Sequence, residues 1–332
     1  MPTGRYSDQD VEHYDRPRRH TRPRTKERPS YDDAAEGVVV TVDRGRFTVL
    51  VDGQVVTAMK ARPLGRRGVV VGDRVKVEGD VSGDEGSLAR IVEVNERLTT
   101  LRRTAEDDDP VERVIVANAD QLVVVTAVAD PEPQPRLIDR ALVAAYDAGM
   151  APLLCLTKAD LAAPDQLLAT YRSLGVPWVV TRRGGDLTEL TERLAARTSV
   201  LLGSSGVGKS TLVNALVPHA GREVGVVNAV TGRGRHTSTS AYLLPLPEPS
   251  GGGWIIDTPG IRSFGLAHVR PEDLIEAFPD LDELTEDCPR GCTHGTDEPE
   301  CALDDAVAAG QADPDRVASF RRLLTARSEP AY

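Results

Sequence analysis

Short runs of β-branched residues dominate the chain between residues 36 and 98. These runs are VVVTV, FTVLV, QVVTA, VVVGDRVKVEG and ARIVEV, and turn residues separate them. Asp52-Gly53 lies between two runs and favours a hairpin, because glycine adopts a positive φ easily. Five short strands of this kind predict a small barrel over 36–98 of the OB type, with an SH3-like barrel as the alternative.

Such a barrel serves many functions, so a packing domain without a ligand is the alternative to a nucleic-acid-binding domain. Phe47 is the one aromatic side chain that the barrel sequence offers for a base to stack on. We therefore expect contacts between this barrel and a nucleic acid to involve mainly phosphates and the backbone.

A different pattern covers residues 100–267, where strand-like and helix-like runs alternate. The strand-like runs are QLVVVTAV, APLLCLT, VPWVVT, TSVLLG and GGWIID, and the helix-like runs are LIDRALVAAYDAG, DQLLATYRSLG, LTELTERLAAR and KSTLVNALV. Short aliphatic strands joined by helices predict a mainly parallel sheet with helices on both faces. An acidic linker, 106–109, precedes this α/β nucleotide-binding domain.

The two ends of the chain lack these patterns. Residues 1–35 are rich in Arg, Pro and Asp and poor in aliphatic residues, which predicts a disordered basic arm that either aids solubility or binds phosphates. Residues 268–332 contain PEDLIEAFPDLDELTE, a Cys/His cluster and the helix-like run DPDRVASFRRLLTAR. They predict a small, mostly helical domain whose core is too small without a metal.

Composition restricts the class of protein. The chain has 332 residues, enough for two or three cores, and its longest apolar runs fall short of the roughly 20 residues that cross a bilayer. No secretory signal is recognisable at the N-terminus, so we expect a cytoplasmic protein without a membrane partner. We also expect a monomer. The net charge of −11 combines a basic N-terminal end with an acidic C-terminal end, so it does not exclude a nucleic-acid partner.

The stretch GSSGVGKST matches the phosphate-binding motif G-x-x-x-x-G-K-[ST] between a strand-like and a helix-like run. Backbone N–H groups at a helix N-terminus bind phosphate oxygens, Lys209 is expected to reach the β- and γ-phosphates, and the Ser210 hydroxyl is expected to ligate Mg²⁺. The predicted phosphate contacts in this loop are Gly203, Ser204, Ser205, Gly206, Val207, Gly208, Lys209, Ser210 and Thr211.

Two further segments predict contacts with the γ-phosphate and its metal ion. Asp257 and Gly260 in WIIDTPG match the D-x-x-G pattern, in which the carboxylate holds Mg²⁺ through water and the glycine amide bonds the γ-phosphate. The loop GRGRHTSTS offers Thr237 or Thr239 as a second hydroxyl for Mg²⁺. His236 is the candidate to position the attacking water, with a solvated histidine as the alternative.

Thr157, Lys158, Ala159 and Asp160 follow a strand-like run and resemble the guanine-binding motif N-K-x-D. Asp160 would accept hydrogen bonds from the ring N–H and the exocyclic amine of guanine, a donor pair that adenine lacks. Thr157 occupies the position of the usual Asn, and its hydroxyl replaces the bonds of that carboxamide only in part. The loop around Thr181 is expected to complete the base site.

Cys288, Cys292, His294 and Cys301 form the pattern C-x3-C-x-H-x6-C. Three thiolates and an imidazole fit tetrahedral zinc, and four protein ligands leave no open position, so the spacing predicts one structural Zn²⁺. A disulfide pair is the alternative, which a reducing compartment disfavours. Cys155 lies in an apolar run and is expected to be a packed core thiol.

The guanine-binding motif precedes the phosphate-binding loop, whereas it follows that loop in ordinary P-loop GTPases. The motifs regain their usual order if the domain is cut after Gly260 and its former ends are joined near Arg197. This arrangement is a circular permutation, which a fold tolerates because domain termini often lie close together.

With TKAD, GSSGVGKST, GRHTSTS, DTPG and the Cys/His cluster in this order, residues 36–325 resemble the ribosome small subunit-dependent GTPase A (RsgA) family. The resemblance implies a GTPase that binds the small ribosomal subunit and its rRNA in late maturation, hydrolyses GTP faster there, and then leaves. It also implies a catalytic role for His236. Thr157 and the cysteine spacing depart from the family pattern.

Two other functions remain open from the residues alone. One is a nucleic-acid-binding module whose nucleotide site is vestigial, against which the intact Lys209 and Ser210 argue. The other is an ATP-dependent nucleic-acid enzyme, which a comparison of ATP and GTP binding distinguishes.

Overall fold

The computed structural model describes residues 30–43, 45–65, 68–103, 113–218, 241–247, 251–258, 266 and 268–328. The predicted basic arm up to residue 29, the acidic stretch, His236, Thr237, Thr239 and Gly260 lie outside the described residues. All elements below belong to one compact unit, Asp33–Tyr332. In the part of the chain that the structure describes, no helix is both long enough and apolar enough to span a membrane.

Five strands form the predicted barrel. They are β1 (Ala35–Asp43), β2 (Arg46–Val51), β3 (Gln54–Lys60), β4 (Arg74–Gly79) and β5 (Ala89–Val94). Their order is β1-β2-β3-β5-β4, and β4 pairs back onto β1, which closes an OB-like barrel. The expectation for Phe47 was wrong, because this ring is only 6% exposed and belongs to the apolar core of the barrel. It cannot stack on a base.

A short hairpin follows the barrel, and the sequence pattern did not predict it. Strands β6 (Thr100–Arg103) and β7 (Arg113–Ala117) pair antiparallel and form a sheet of their own. The acidic stretch that we expected to precede the nucleotide-binding domain as a linker thus connects two paired strands. Both strands are short; β6 contains two arginines and no apolar run, and the apolar run VIVA of β7 was not assigned to a strand.

The α/β domain contains a mainly parallel sheet, as predicted. Its strands are β8 (Gln121–Ala127), β9 (Ala151–Thr157), β10 (Trp178–Val180), β11 (Thr198–Leu202), β12 (Tyr242–Pro245) and β13 (Trp254–Asp257). Their order is β10-β9-β8-β11-β13-β12, and only β12 runs antiparallel to its neighbour β13. The sequence pattern missed β12, which has four residues and ends in proline.

The four predicted helices of this domain are present. They are α1 (Pro135–Asp147), α2 (Asp165–Arg172), α3 (Thr188–Leu194) and α4 (Lys209–Leu216). Two separate groups of buried apolar residues involve the sheet, one packed with α1 and α2 and the other with α3 and α4. This division places helices on both faces, as a parallel sheet requires.

Polar contacts join the barrel to the α/β domain. Within the barrel, close to the domain boundary, Arg97 donates two hydrogen bonds to the fully buried Asp73, at 2.6 and 2.8 Å. Asn118 has a φ of 56°, its Nδ2 donates to the carbonyl oxygen of Gly72 at 2.9 Å, and its Oδ1 accepts from the Leu98 amide at 2.9 Å. In addition, β1 pairs with β12, so the sheets of the two domains are continuous.

The C-terminal region is helical, with α5 (Pro271–Ile275), α6 (Pro279–Asp282), α7 (Ala302–Ala308) and α8 (Pro314–Ser328). Helix α7 was not predicted. Phe278, Leu303 and Phe320 of this region are buried in the same apolar cluster as Leu142 of α1. The C-terminal region is too short to form a large core by itself, as expected. Its apolar residues are buried by packing against the α/β domain.

Candidate functional site

The predicted phosphate-binding loop connects the central strand β11 to helix α4. The loop begins at Gly203, where an added Cβ would lie 2.4 Å from the carbonyl oxygen of Val125. Gly208, just before α4, has a φ of 95°, which L-residues with side chains rarely adopt. Glycine is thus required at both ends of the loop, first for close backbone approach and then for the turn into the helix.

Lys209 and Asp257 lie together at the ends of neighbouring strands. The Lys209 Nζ contacts the Asp257 carboxylate and also donates to the carbonyl oxygen of Thr258 at 2.5 Å. Strands β11 and β13 pair with Leu201 opposite Asp257, and this register brings the carboxylate beside the start of α4. Ser210 is exposed in the first turn of that helix. Of the four side chains predicted to hold Mg²⁺, Asp257 thus contacts Lys209 and Ser210 is the next residue in the chain, whereas Thr237 and Thr239 lie outside the described residues.

The predicted guanine-binding motif lies at the end of β9 and contacts the phosphate-binding loop. The buried Thr157 hydroxyl donates to the carbonyl oxygen of Val207, fifty residues further along the chain. A second carbonyl, that of Thr126 at the end of β8, lies 3.3 Å away. The Thr157 hydroxyl therefore makes a bond to the neighbouring loop, one of the carboxamide's bonds that we expected a hydroxyl to replace only in part.

The remaining residues of the motif line the same edge of the sheet. Lys158 has a φ of 58°, and its Nζ donates to the carbonyl oxygen of Asp130 beyond β8. The Ala159 amide donates to the carbonyl oxygen of Thr181 at 3.1 Å, so the loop assigned to the base site adjoins the motif. Asp160 is exposed. Ligands of open α/β sheets bind at such carboxyl ends of strands.

Cys288, Cys292, His294 and Cys301 converge, and their ligand atoms all lie within 4.8 Å of one another. The His294 Nδ1 is 3.5, 3.6 and 3.9 Å from the sulfur atoms of Cys288, Cys292 and Cys301. With Zn–S bonds of about 2.3 Å and Zn–N bonds of about 2.0 Å, tetrahedral geometry separates ligands by roughly 3.5 to 3.8 Å. The donor set and its spacing fit one tetrahedral metal ion.

The surroundings of these ligands are also those of a metal site. Backbone amides donate to the sulfur atoms of Cys288 and Cys292, at 3.3 and 3.4 Å. Burial raises the pKa of the Cys292 thiol to about 12 and lowers the pKa of His294. The imidazole is therefore kept neutral and able to coordinate, whereas the thiol needs a bound cation to lose its proton. All four cysteines of the chain are free thiols, which leaves the disulfide alternative without support.

Sequence patterns missed some residues of the site. Thr258 is buried, and its hydroxyl donates to the Leu201 carbonyl oxygen at 2.8 Å, which ties β13 to β11. Asp130 contributes only its backbone carbonyl oxygen, which accepts a hydrogen bond from Lys158, and a pattern of side chains cannot predict such a contact.

Cys155 is fully buried and its pKa is raised to about 12 by burial, as expected for a core thiol.

Comparisons with known proteins agree with this geometry. The family model described as RsgA GTPase matches residues 94–267. A protein of Azotobacter vinelandii named small ribosomal subunit biogenesis GTPase RsgA is 42% identical over 273 residues, 80% of this chain and 76% of the relative. A protein of the same name from Ectopseudomonas mendocina is 44% identical over 227 residues, 66% of this chain and 65% of the relative.

Two solved structures are similar over most of their length. The crystal structure of YloQ, described as a circularly permuted GTPase, matches with a TM-score of 0.62 and 26% identity over 91% of this chain and 97% of that one. YjeQ from Thermotoga maritima matches with a TM-score of 0.62 and 27% identity over 89% and 99%. The predicted circular permutation is thereby confirmed.

Proposed function

The chain belongs to the RsgA GTPase family, and from this premise we propose that it hydrolyses GTP to GDP and phosphate in the maturation of the small ribosomal subunit. The observation that carries the proposal is the bond from the Thr157 hydroxyl to the Val207 carbonyl oxygen. It joins a guanine-binding motif and a phosphate-binding loop that are distant in the sequence. Only a ligand that has both a guanine and phosphates uses both segments at once.

Each part of GTP has a partner at this site. Asp160 is exposed and accepts from the guanine N–H groups, while the Lys158 stem covers the base. The loop amides and Lys209 would bind the phosphates, and Ser210 and Asp257 are the side chains that would hold Mg²⁺. Magnesium supplies positive charge that offsets the charge developing on the transferred phosphate. We retain His236 as the residue that positions the attacking water.

The metal of the Cys3His site is proposed to be zinc in a structural role. Four protein donors complete a tetrahedron and leave no position for water, so the site has no means to activate a nucleophile. The C-terminal region gains stability from the ion because metal binding is coupled to local folding.

The proposed partners are the small ribosomal subunit and its rRNA, and the proposed site of action is the cytoplasm, with the protein acting as a monomer. The relatives named above support the subunit, because their names state small ribosomal subunit biogenesis. Since Phe47 is buried, the barrel would contact RNA through charged and backbone groups and not by ring stacking.

Multiple-turnover GTP hydrolysis with and without purified small subunits tests the proposal. We expect turnover that subunits accelerate, and cosedimentation with subunits that depends on whether GTP or GDP is bound. Lys209→Met is the matched control, because it removes one phosphate contact and should abolish acceleration. Absence of turnover would indicate the module with a vestigial nucleotide site, and a preference for ATP would indicate the ATP-dependent enzyme.

His236→Ala should reduce turnover while GDP binding persists. Unchanged turnover would exclude a role for this histidine.

A further inference from the structure

Two neighbouring arginines of helix α8 contact opposite partners. We call residues 271–308, which carry α5 to α7 and the Cys3His site, the metal lobe. Arg321 donates to the carbonyl oxygen of the metal ligand His294 at 3.1 Å and to both carboxylate oxygens of Asp304, at 2.7 and 3.0 Å. Arg322 instead contacts the α/β domain. Helix α8 thus touches the metal lobe and the nucleotide-binding domain with consecutive residues.

Arg322 is held in the α/β domain by three groups. Its Nε donates to the Asp139 carboxylate of α1 at 3.1 Å, and its Nη2 lies 3.3 Å from the carbonyl oxygen of Thr170 in α2. Its guanidinium also lies over the Tyr171 ring, 5.2 Å from the centroid. Asp139 is only 4% exposed. Because a buried carboxylate without a partner is strongly unfavourable, this ion pair helps to hold α8 against α1, beside the apolar packing of Phe320 and Leu323.

Further bonds attach the rest of α8 to the same two helices. Ser319 and Ser173, which follows α2, have their hydroxyls 2.7 Å apart. Arg316 donates to the carbonyl oxygen of Ser173 at 3.1 Å. From α1, the buried Arg140 donates to the carbonyl oxygen of Ala326 at 2.9 Å. Helix α8 is therefore hydrogen-bonded at several points along its length to α1 and to the C-terminal end of α2.

Helices α1 and α2 in turn border the nucleotide site. The Tyr171 hydroxyl donates to the carbonyl oxygen of Pro135, the first residue of α1, at 3.2 Å. The preceding residue, Gln134, lines a small cavity together with Gly203 and Ser204 of the phosphate-binding loop. Helix α2 begins shortly after Asp160 of the guanine-binding motif. A shift of α8 would therefore disturb elements next to both segments of the site.

We propose that α8 couples the metal lobe to the nucleotide site, with Arg321 as the contact on the metal side and Arg322 as the positioning residue on the nucleotide side. The inference rests on the proposed binding of guanine nucleotides. Metal bound to the Cys3His group fixes the His294 carbonyl, this carbonyl holds Arg321, and α8 then holds α1 and α2 through Arg322. Loss of the metal should therefore weaken nucleotide binding, although no residue of the metal lobe belongs to the proposed nucleotide site.

The test is a titration of the full chain with a fluorescent GDP analogue, before and after a chelator removes the metal. In the wild type we expect the Kd to rise by about fivefold or more, the lower range of typical couplings between sites. Arg321→Met should already show the raised Kd of the metal-free wild type, and chelation should raise it no further. Arg322→Met should raise the Kd with metal present, and Arg322→Lys should recover part of this loss because it keeps the charge beside Asp139.

Arg193→Met is the matched control, since Arg193 is exposed on α3 and chelation should affect that variant as it affects the wild type. Hydrogen exchange gives a second measurement that does not depend on affinity. Chelation should speed amide exchange in α1 and α2 of the wild type but not of Arg321→Met. Equal effects of chelation on the wild type and both α8 variants would overturn the coupling, as would an unchanged wild-type Kd. Absence of GDP binding in metal-loaded protein would instead refute the proposed function.

Discussion

The hydroxyl of Thr157 is the most direct link between the two nucleotide-binding segments, and Thr157→Val removes it with almost no change in shape. Thr157 is only 6% exposed, so valine fills the same space among the same neighbours. The variant loses the bond to the Val207 carbonyl oxygen and the weaker contact with the Thr126 carbonyl oxygen at 3.3 Å. We expect weaker binding of GTP and GDP.

The magnitude follows from what the substitution leaves behind. The net contribution of one such hydrogen bond is about 1 kcal/mol, and a buried carbonyl left without a donor costs about 1 to 3 kcal/mol. If most of this free energy stabilises the phosphate-binding conformation of the loop, its loss raises the Kd for GDP by roughly 5- to 100-fold, since 1.4 kcal/mol corresponds to a factor of ten. The preference for guanine should persist because Asp160 is unchanged.

Titration calorimetry with GDP and GTP, together with competition by ATP and XTP, measures both expectations. Thr126→Val is the matched control, because Thr126 is equally buried but its hydroxyl has only a 3.5 Å contact with the carbonyl of the next residue. Thr157→Asn should bind at least as tightly as the wild type. A Thr157→Val variant with wild-type Kd values, or one that loses guanine preference instead of affinity, would refute the role assigned to this hydroxyl.

Three further predictions concern other parts of the molecule. Asp160→Asn should shift preference from GTP to XTP by about tenfold or more, and unchanged preference in competition assays would reject the assigned base contact. Arg97→Met leaves the fully buried Asp73 without its ion-pair partner and should lower the free energy of unfolding by about 3 to 5 kcal/mol in urea titrations, with partial recovery when Asp73→Asn is added. Cys301→Ser should lose the metal measured by mass spectrometry, whereas Cys155→Ser should keep it; equal metal content would contradict the ligand assignment.

Local patterns in the sequence were sufficient for most elements of the fold. Five barrel strands and the four α/β helices were predicted, because apolar runs and turn residues mark them directly. Strand β12, the β6–β7 hairpin and helix α7 were missed. These elements are short, and they owe their conformation to pairing or packing partners that are distant in the chain.

The candidate site, too, has features that were evident from the sequence and features that were not. The phosphate-binding loop, the TKAD motif and the Cys3His cluster each require particular residues at fixed spacing, so their presence and even their permuted order were evident from the sequence. The roles of single side chains were not. Phe47 was expected to be available to a base, yet it is buried, because the position of a side chain inside or outside a barrel depends on the register of neighbouring strands.

The sequence by itself determined the chemistry of this protein, since phosphate, guanine and metal recognition each depend on residue types at short range along the chain. Only the tertiary structure decided which carbonyl the Thr157 hydroxyl contacts, and how α8 joins the metal lobe to α1 and α2. The physical reason is that these bonds connect residues distant in the sequence. Their existence depends on the packing of whole elements, which no local pattern records.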